Sequence, residues 1–186
     1  MNTIKFFEEV SKLQDIKRSG WVERIVKDPQ TSADHSFMVT FECLILGSDR
    51  KDIDLNRAIK MALVHDIAES QVGDIITHEA WEEGGEMPEK KKYTLEKKAL
   101  QKLLSKIDPK LRKDIMTLWL EFEERKTKEA VFVNSVDKFE TIIQAVFYHK
   151  QKRSKKDMAC FWTENDLAKV KDPKIKKLLL EYIEKI

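Results

Sequence analysis

Apolar side chains recur at intervals of three or four residues along nearly the whole chain, and this spacing limits the folds that the chain can adopt. One apolar stripe, in a helix predicted to start after the N-cap pair Thr31-Ser32 and to end at Gly47, consists of Phe37, Met38, Phe41, Leu44 and Ile45. The chain has five Gly and four Pro, no strand-length alternation and no Asn-Gly or Asp-Gly hairpin turn. The sequence therefore predicts an all-α fold.

Helix caps divide this pattern into six or more helices. Asp52 or Asp54 can begin a helix that ends near His65. Its expected core-facing residues are Leu55, Ala58, Ile59, Ala62 and Leu63. Later helices are expected to begin at Pro88, Asp108-Pro109, Thr127 and Asp172-Pro173, and the one at Thr127 is expected to turn Val133, Val136, Ile143, Val146 and Phe147 inward. Residues 78–87 are expected to form an exposed, mobile connection.

Length and charge restrict the class of protein. Because 41% of the 186 residues are hydrophobic, residues 1–186 are expected to form a single compact helical domain. Lys and Arg number 35 and Asp and Glu 33, so we expect no obligatory nucleic-acid partner, and no apolar run approaches the roughly 20 residues that span a membrane. The lysine clusters at 90–92 and 150–156 are interpreted as solvated surface.

Cysteine usage indicates the compartment. Cys43 and Cys160 occupy neither a disulfide framework nor a metal-binding spacing. The N-terminal residues lack the apolar core of a signal peptide. We therefore expect a reduced, cytoplasmic location.

A His-Asp pair near the end of one predicted helix is the first sign of chemistry. His65 and Asp66 are followed by Glu69 one turn later, so the three side chains project to the same helical face. An imidazole and a carboxylate held side by side are two ligands for a divalent metal. A single His-Asp dipeptide is a weak motif, so the assignment depends on further ligands.

Two further residues of ligand type lie at core-adjacent helical positions. His35 stands in the first turn of the preceding predicted helix, and Asp137 stands in an otherwise apolar helix, where an unpaired carboxylate is costly to bury. Taken singly, His35 is more simply explained as a hydrogen-bonded core histidine and Asp137 as a partner of Lys138. Taken together with His65 and Asp66, they are better explained by a shared cation. Two imidazoles and two carboxylates suit Mn, Fe, Co, Ni or Zn.

The order His35, His65-Asp66, Asp137 resembles that of the HD-domain phosphohydrolases, in which these four side chains hold a divalent metal inside an all-helical domain. The resemblance covers nearly the whole chain. Residues 65–74 look like the HDxxE…GD segment of the 5′-deoxynucleotidase branch, which includes the HD domain-containing protein 2 type. The run Gly20-Trp21-Val22-Glu23-Arg24 looks like the tryptophan segment of the same branch.

This resemblance implies hydrolysis of deoxyribonucleoside 5′-monophosphates to a deoxynucleoside and phosphate, by a homodimer. It also implies that Glu69 activates or positions the attacking water, that Asp74 contacts the sugar hydroxyl, and that Trp21 crowds the position of a ribose 2′-hydroxyl. Bacterial members carry an arginine directly before this tryptophan. Here that position is Gly20, and Arg18, two residues earlier, is the candidate to reach the substrate.

The residues favour one metal, because binuclear relatives carry additional histidines and only His78 and His149 remain, both interpreted as surface residues. Such a metal can neutralise phosphoryl oxygens and supply a nucleophile, which phosphate-monoester hydrolysis requires. The other tryptophans are interpreted as packing residues: Trp81, Trp119 and Trp162. Two alternatives stay open: the same site acting on a guanosine polyphosphate, a cyclic nucleotide or a metabolite phosphate, or a non-catalytic helical interaction module.

Overall fold

Ten α-helices form most of what the computed structural model describes, which is residues 2–76 and 88–185. In chain order they are α1 (Thr3–Val10), α2 (Ser19–Glu23), α3 (Ser32–Gly47), α4 (Leu55–Val64), α5 (Glu69–Val72), α6 (Glu89–Leu104), α7 (Pro109–Glu124), α8 (Lys128–Lys150), α9 (Glu164–Lys169) and α10 (Pro173–Ile183). Short 3₁₀ helices cover Ser11–Gln14 and Ala159–Phe161. In these described ranges, β-type pairing is limited to the isolated bridges Lys17–Thr31 and Val26–Ser154. The predicted all-α fold of six or more helices is confirmed.

Side-chain caps begin several helices at the predicted residues. Thr31 and Asp34 form a capping box at the start of α3, in which each side chain accepts a hydrogen bond from the other residue's backbone N–H. Asp54, rather than Asp52, caps α4. Three more predicted caps are present: Asp108 on α7, Thr127 on α8 and Asp172 on α10. Local capping chemistry therefore sets most helix starts.

Helix α8 is the centre of the packing and contacts α3, α4, α7 and α10. Helices α3 and α4 also pack against each other, so α3, α4 and α8 form a mutually contacting trio. The apolar side chains buried among these elements include Val39, Met61, Trp119, Phe132 and Val136. Residues on the facing sides of the trio can therefore point at one shared position.

The apolar stripe of α3 lies on the outside of the protein. Phe37 is 65% exposed and Ile45 56% exposed, and Phe41 and Leu44 are exposed to a similar degree. The buried face of α3 consists of Ser32, His35, Ser36, Val39, Cys43 and Gly47. The expectation that Leu63 and Phe147 face the core is also wrong, because both are exposed. Close packing against α4 and α8 selects the face of α3 with the smaller side chains.

The remaining expectations concern the connection at 78–87, the other tryptophans, His149 and membrane-spanning helices. The predicted connection at 78–87, with His78 and Trp81, lies outside the described residues. Trp119 is buried and stacks on Tyr93 with ring centroids 5.5 Å apart, in agreement with a packing role. Trp162 is partly buried against the core, and His149 is exposed. Among the helices of the described ranges, none combines the length and apolarity that crossing a membrane requires.

Candidate metal centre

The trio of α3, α4 and α8 brings the predicted metal ligands together. His35 lies near the start of α3, His65 is the C-cap of α4, and Asp66 follows it directly. One ligand atom from each of these three residues lies within 4.8 Å of the other two. Asp137, in the middle of α8, joins the group through His35, whose Nε2 is 3.1 Å from Asp137 Oδ1. Residues far apart in the sequence therefore meet at one point in the core.

The two imidazoles are oriented so that both could bind a metal. His35 Nδ1 lies 2.6 Å from Glu140 Oε2, and His65 Nδ1 lies 2.7 Å from the carbonyl oxygen of Ala62. Both acceptors assign the proton to Nδ1, which leaves Nε2 of each ring as a ligand atom. Both Nε2 atoms are buried and face carboxylates, His35 towards Asp137 at 3.1 Å and His65 towards Asp66 at 3.2 Å, but neither makes a hydrogen bond of good geometry within the described part of the chain. A buried nitrogen without a hydrogen bond is costly, and a divalent cation held by these nitrogens and carboxylates would remove that cost. The donor set therefore fits a metal.

The histidines and the carboxylates of the centre shift each other's pKa values. Although burial and Arg18 lower it, the carboxylates of Glu140 and Asp137 raise the pKa of His35 to about 10 in the metal-free protein. The ring then carries a proton on Nε2 at neutral pH, and a metal would bind there by displacing that proton. Burial alone would raise the pKa of Asp66, yet His65 and Arg18 hold it well below its ordinary value. The Asp66 carboxylate is therefore ionised at neutral pH, as it would have to be in order to bind a metal.

Glu69 is the first residue of α5 and is only 1% exposed. Neither of its carboxylate oxygens has a hydrogen-bond partner in the described residues. Burial, followed by the negative charges of Asp66 and Asp74, raises the pKa of Glu69 well above its ordinary value, and Arg18 opposes this shift. A carboxylate with a raised pKa is a stronger base, which suits a group that takes a proton from water.

Arg18 reaches the centre despite the glycine that precedes Trp21. Its Nη1 lies 3.0 Å from Asp66 Oδ2 and 3.9 Å from an oxygen of each of Glu69 and Asp74. The backbone N–H of Ser19 donates to Asp74 Oδ2 at 2.5 Å, and the Ser19 hydroxyl donates to the Asp74 carbonyl oxygen at 2.6 Å. These bonds fix the segment before Trp21 against the loop that follows α5.

Trp21 combines a packing position with a place on the cavity wall. Its indole is buried against Tyr148 and Phe161, with ring centroids 5.4 and 4.6 Å away, and its Nε1 donates to Gln30 Oε1 at 3.2 Å. Trp21 also lines a cavity of about 1320 Å³. The same cavity is lined by Arg18, His65, Asp66, Glu69, Asp74 and Asp137. All the predicted site residues except the deeper His35 therefore line one cavity.

Two residues of the centre, Glu140 and Lys92, were not predicted from the sequence. Glu140 supports His35, and its spacing of three from Asp137 on the same helix face was the available signal. Lys92, at the start of α6, lines the cavity and holds its Nζ 3.6 Å from Glu96 Oε1. The interpretation of residues 90–92 as solvated surface is therefore wrong for Lys92. Lys90 also lines the cavity but stays exposed, and only the placement of α6 brings these lysines to the cavity wall.

Comparison with known proteins places this geometry in a family. The sequence model of the HD-domain family matches residues 10–178 of this chain. The 5′-deoxynucleotidase HDDC2 of Dictyostelium discoideum is 40% identical over 156 residues, which are 81% of this chain and 79% of that protein. The human 5′-deoxynucleotidase HDDC2 is 30% identical over 178 residues, which are 96% of this chain and 83% of that protein.

A solved structure shares the fold. The crystal structure of a predicted metal-dependent phosphohydrolase from Magnetospirillum magnetotacticum superposes with a TM-score of 0.75 at 20% identity, covering 98% of this chain and 90% of that one. The sequence matches bear out the resemblance drawn from the His, His-Asp, Asp order, and this structure shows the shared fold. The chain belongs to the HD-domain family, and within that family it groups with the proteins named 5′-deoxynucleotidase.

Proposed function

We propose that the chain is a metal-dependent 5′-deoxynucleotidase, which hydrolyses deoxyribonucleoside 5′-monophosphates to a deoxynucleoside and inorganic phosphate. One observation carries the proposal: the unpaired Nε2 atoms of His35 and His65 meet Asp66 beside the buried carboxylate of Glu69. That combination is a hydrolytic centre, since it offers a metal site and a base together. The names of the relatives supply the substrate class.

The proposed ligands of one divalent transition metal are His35, His65, Asp66 and Asp137. Mn, Co, Fe, Ni and Zn all suit two imidazoles and two carboxylates. When bound, the metal supplies positive charge to the phosphoryl group and makes a water more acidic. Glu140 and the Ala62 carbonyl hold the imidazole rings in place, because each accepts the Nδ1 proton of one ring.

The remaining residues bind and orient the substrate in this proposal. Glu69 takes the proton of the attacking water. Arg18 faces Asp66, Glu69 and Asp74, where its guanidinium can turn to phosphate oxygens as the nucleotide enters. Asp74 accepts a hydrogen bond from the sugar hydroxyl, and Trp21 occupies the space that a 2′-hydroxyl needs.

The experiment is phosphate release from a panel of deoxyribo- and ribonucleoside monophosphates, with apo protein titrated by individual metals. Wild type is expected to favour deoxyribonucleotides, and Asp137→Ala to lose metal and at least about 100-fold of activity. Asp114→Ala, on the exposed surface of α7, is the matched control and is expected to behave as wild type. Equal or better turnover of a guanosine polyphosphate, a cyclic nucleotide or a metabolite phosphate would replace the substrate assignment. Protein that binds no metal and hydrolyses no phosphate ester would be a helical interaction module.

The proposal also covers assembly and location. We propose a homodimer formed through the exposed side chains of α3: Phe37, Phe41, Leu44 and Ile45. The support is that this contiguous apolar face has no covering element in the described part of the chain. We also propose one HD domain over residues 1–186 and a cytoplasmic location, with Cys43 and Cys160 both free thiols.

A further inference from the structure

A chain of buried hydrogen bonds connects the metal ligand His35 to the indole of Trp21. Glu140 Oε2 accepts from His35 Nδ1 at 2.6 Å, and Glu140 Oε1 accepts from Gln30 Nε2 at 2.6 Å. Gln30 Oε1 accepts from Trp21 Nε1 at 3.2 Å. Gln30 is 8% exposed, and the other three side chains are more deeply buried. Four side chains from separate segments are therefore joined by direct hydrogen bonds.

The donors and acceptors in this chain permit a single arrangement. An indole N–H only donates, so the Gln30 atom that faces Trp21 is the carbonyl oxygen. The Gln30 amide nitrogen then faces Glu140, whose carboxylate only accepts. Glu140 consequently also accepts the Nδ1 proton of His35, which leaves Nε2 directed at the metal position. Rotation of the Trp21 indole or of the His35 imidazole breaks a hydrogen bond that burial makes costly to lose.

The backbone of Gln30 is anchored as well. Its N–H donates to the Tyr148 hydroxyl at 2.8 Å, and the Tyr148 ring packs edge-on against Trp21. Gln30 lies just before the Thr31 cap of α3, the helix that holds His35. The side chain of Gln30 is thus held between the two groups that it links.

We propose that Gln30 is a positioning residue that couples the metal centre to the Trp21 indole. Through Glu140 it fixes the His35 imidazole, and through its carbonyl oxygen it fixes the wall of the cavity where the sugar binds. The part of this inference that concerns the sugar rests on the proposed function. The coupling itself rests on the hydrogen-bonded chain alone.

The test follows the Trp21 indole N–H by ¹⁵N NMR while apo protein is titrated with Zn²⁺, which is diamagnetic and so shifts resonances without broadening them. The resonance is assigned by its loss in Trp21→Phe. In wild type, Zn²⁺ is expected to shift it. In Gln30→Met, which keeps the length but has no amide nitrogen or oxygen, the shift is expected to vanish and the Zn²⁺ affinity, measured by calorimetry, to fall about tenfold. If the wild-type resonance does not respond to Zn²⁺, or responds equally in Gln30→Met, the proposal is wrong.

A charge swap distinguishes coupling from simple loss of packing. Gln30→Glu alone places two carboxylates together and is expected to weaken Zn²⁺ binding. In Gln30→Glu/Glu140→Gln, the carboxylate at position 30 accepts from Trp21 and from the amide at position 140, whose oxygen accepts from His35. Every donor keeps an acceptor, so the Zn²⁺ affinity and the indole shift are expected to return to within about threefold of wild type. A double variant no better than Gln30→Glu would overturn the proposal.

Two further measurements separate this inference from the proposed function. Arg50→Met breaks a buried ion pair with Asp172 outside the cavity and is expected to lower the melting temperature without changing Zn²⁺ affinity or the indole shift. The ratio of kcat/KM for deoxyribo- over ribonucleotides is expected to fall several-fold in Gln30→Met. If no nucleotide is hydrolysed, the proposed function fails, while the Zn²⁺ and NMR results still decide whether Gln30 couples the two groups.

Discussion

Nη1 of Arg18 lies 3.0 Å from Oδ2 of Asp66, although 48 residues separate them in the sequence. The guanidinium stands among three carboxylates, since Glu69 and Asp74 each place an oxygen 3.9 Å away. Without a cation here, the negative charge of the centre would repel a phosphate. Arg18 therefore supplies a cation among these carboxylates although the residue directly before Trp21 is a glycine.

Replacement of Arg18 tests whether this cation binds the substrate. A hydrogen bond to a charged group contributes about 1.5–3 kcal/mol, so Arg18→Ala is expected to lower kcat/KM for a deoxyribonucleotide by about ten- to a hundredfold. Arg18→Lys keeps the charge but loses the planar guanidinium, which can hold two phosphate oxygens at once. It is therefore expected to recover part of the kcat/KM that Arg18→Ala loses. Lys17→Ala, at the exposed neighbouring residue, is the control. Steady-state kinetics that show Arg18→Ala equal to Lys17→Ala would remove Arg18 from the site.

Glu69 is expected to affect turnover and not metal binding. Glu69→Gln keeps the shape of the side chain and removes the base, so kcat is expected to fall by about 10²–10⁴-fold. Metal content, measured by elemental analysis, is expected to stay at the wild-type level. Glu124→Gln, on the exposed end of α7, serves as the control. Parallel losses of metal and of kcat would instead make Glu69 a ligand.

Trp21 is expected to control the choice of sugar. Trp21→Phe removes part of the indole and its bond to Gln30, so the preference for deoxyribose over ribose is expected to fall by about tenfold, since a pocket contact of this size is worth about 1–3 kcal/mol. Trp21→Ala is expected to relax the preference further and to unfold at a lower temperature. Trp119→Phe also truncates a buried indole, but outside the cavity, and is expected to keep the preference. Competition between dCMP and CMP measures the ratio, and an unchanged ratio in Trp21→Phe would exclude this role.

Glu42 is expected to make stability depend on pH. Burial, followed by the nearby Glu140 carboxylate, raises the pKa of Glu42 to about 8. The unfolded chain ionises this group near its ordinary pKa, so folding stability falls as the pH rises from about 4.5 to about 8. Glu42→Gln does not titrate, and its advantage in unfolding free energy over wild type is expected to grow across this range to the order of 2 kcal/mol. Urea titrations of apo protein at pH 5 and pH 9 check this, and a difference independent of pH would contradict it.

A charge on the outer face of α3 is expected to block dimer formation. Phe37 and Phe41 stack with ring centroids 6.1 Å apart on this exposed face, so Phe41→Glu places a charge in the proposed interface. Light scattering is expected to show a dimer for wild type and a monomer for Phe41→Glu. Ile4→Glu, an exposed apolar residue on α1, is the control and is expected to remain dimeric. Wild type that is monomeric, or a dimer that tolerates Phe41→Glu, would refute the assignment of this face.

Local signals in the sequence account for much of the fold. Thr31, Asp54, Asp108, Thr127 and Asp172 begin helices because a side-chain oxygen satisfies an N–H of the first turn, and this interaction involves residues at most three apart. The pair His65-Asp66 with Glu69 one turn later is equally local. Such features can be predicted because the groups that interact are neighbours in the chain.

Which face of a helix is buried could not be predicted in the same way. In α3 the larger apolar side chains, such as Phe37 and Ile45, are exposed, and the face with His35 and Val39 is buried. Hydrophobicity favoured the wrong face because the larger apolar side chains of α3 lie on its outer side, whereas the buried face is chosen by how α4 and α8 approach. Lys92 was misjudged for the same reason, since the position of α6 decides that it lines the cavity.

By itself, the sequence determined the all-α fold, most helix starts and the residue types of the candidate metal centre, because periodicity, capping and ligand chemistry act over a few residues. Only the tertiary structure decided that Arg18 reaches Asp66, that Glu140 holds His35, and that Gln30 joins Glu140 to Trp21. The first three of these contacts connect residues 48 to 110 positions apart in the sequence, and only the Gln30–Trp21 bond is local. They depend on which helix faces meet in the core, and no interaction between neighbouring residues specifies that.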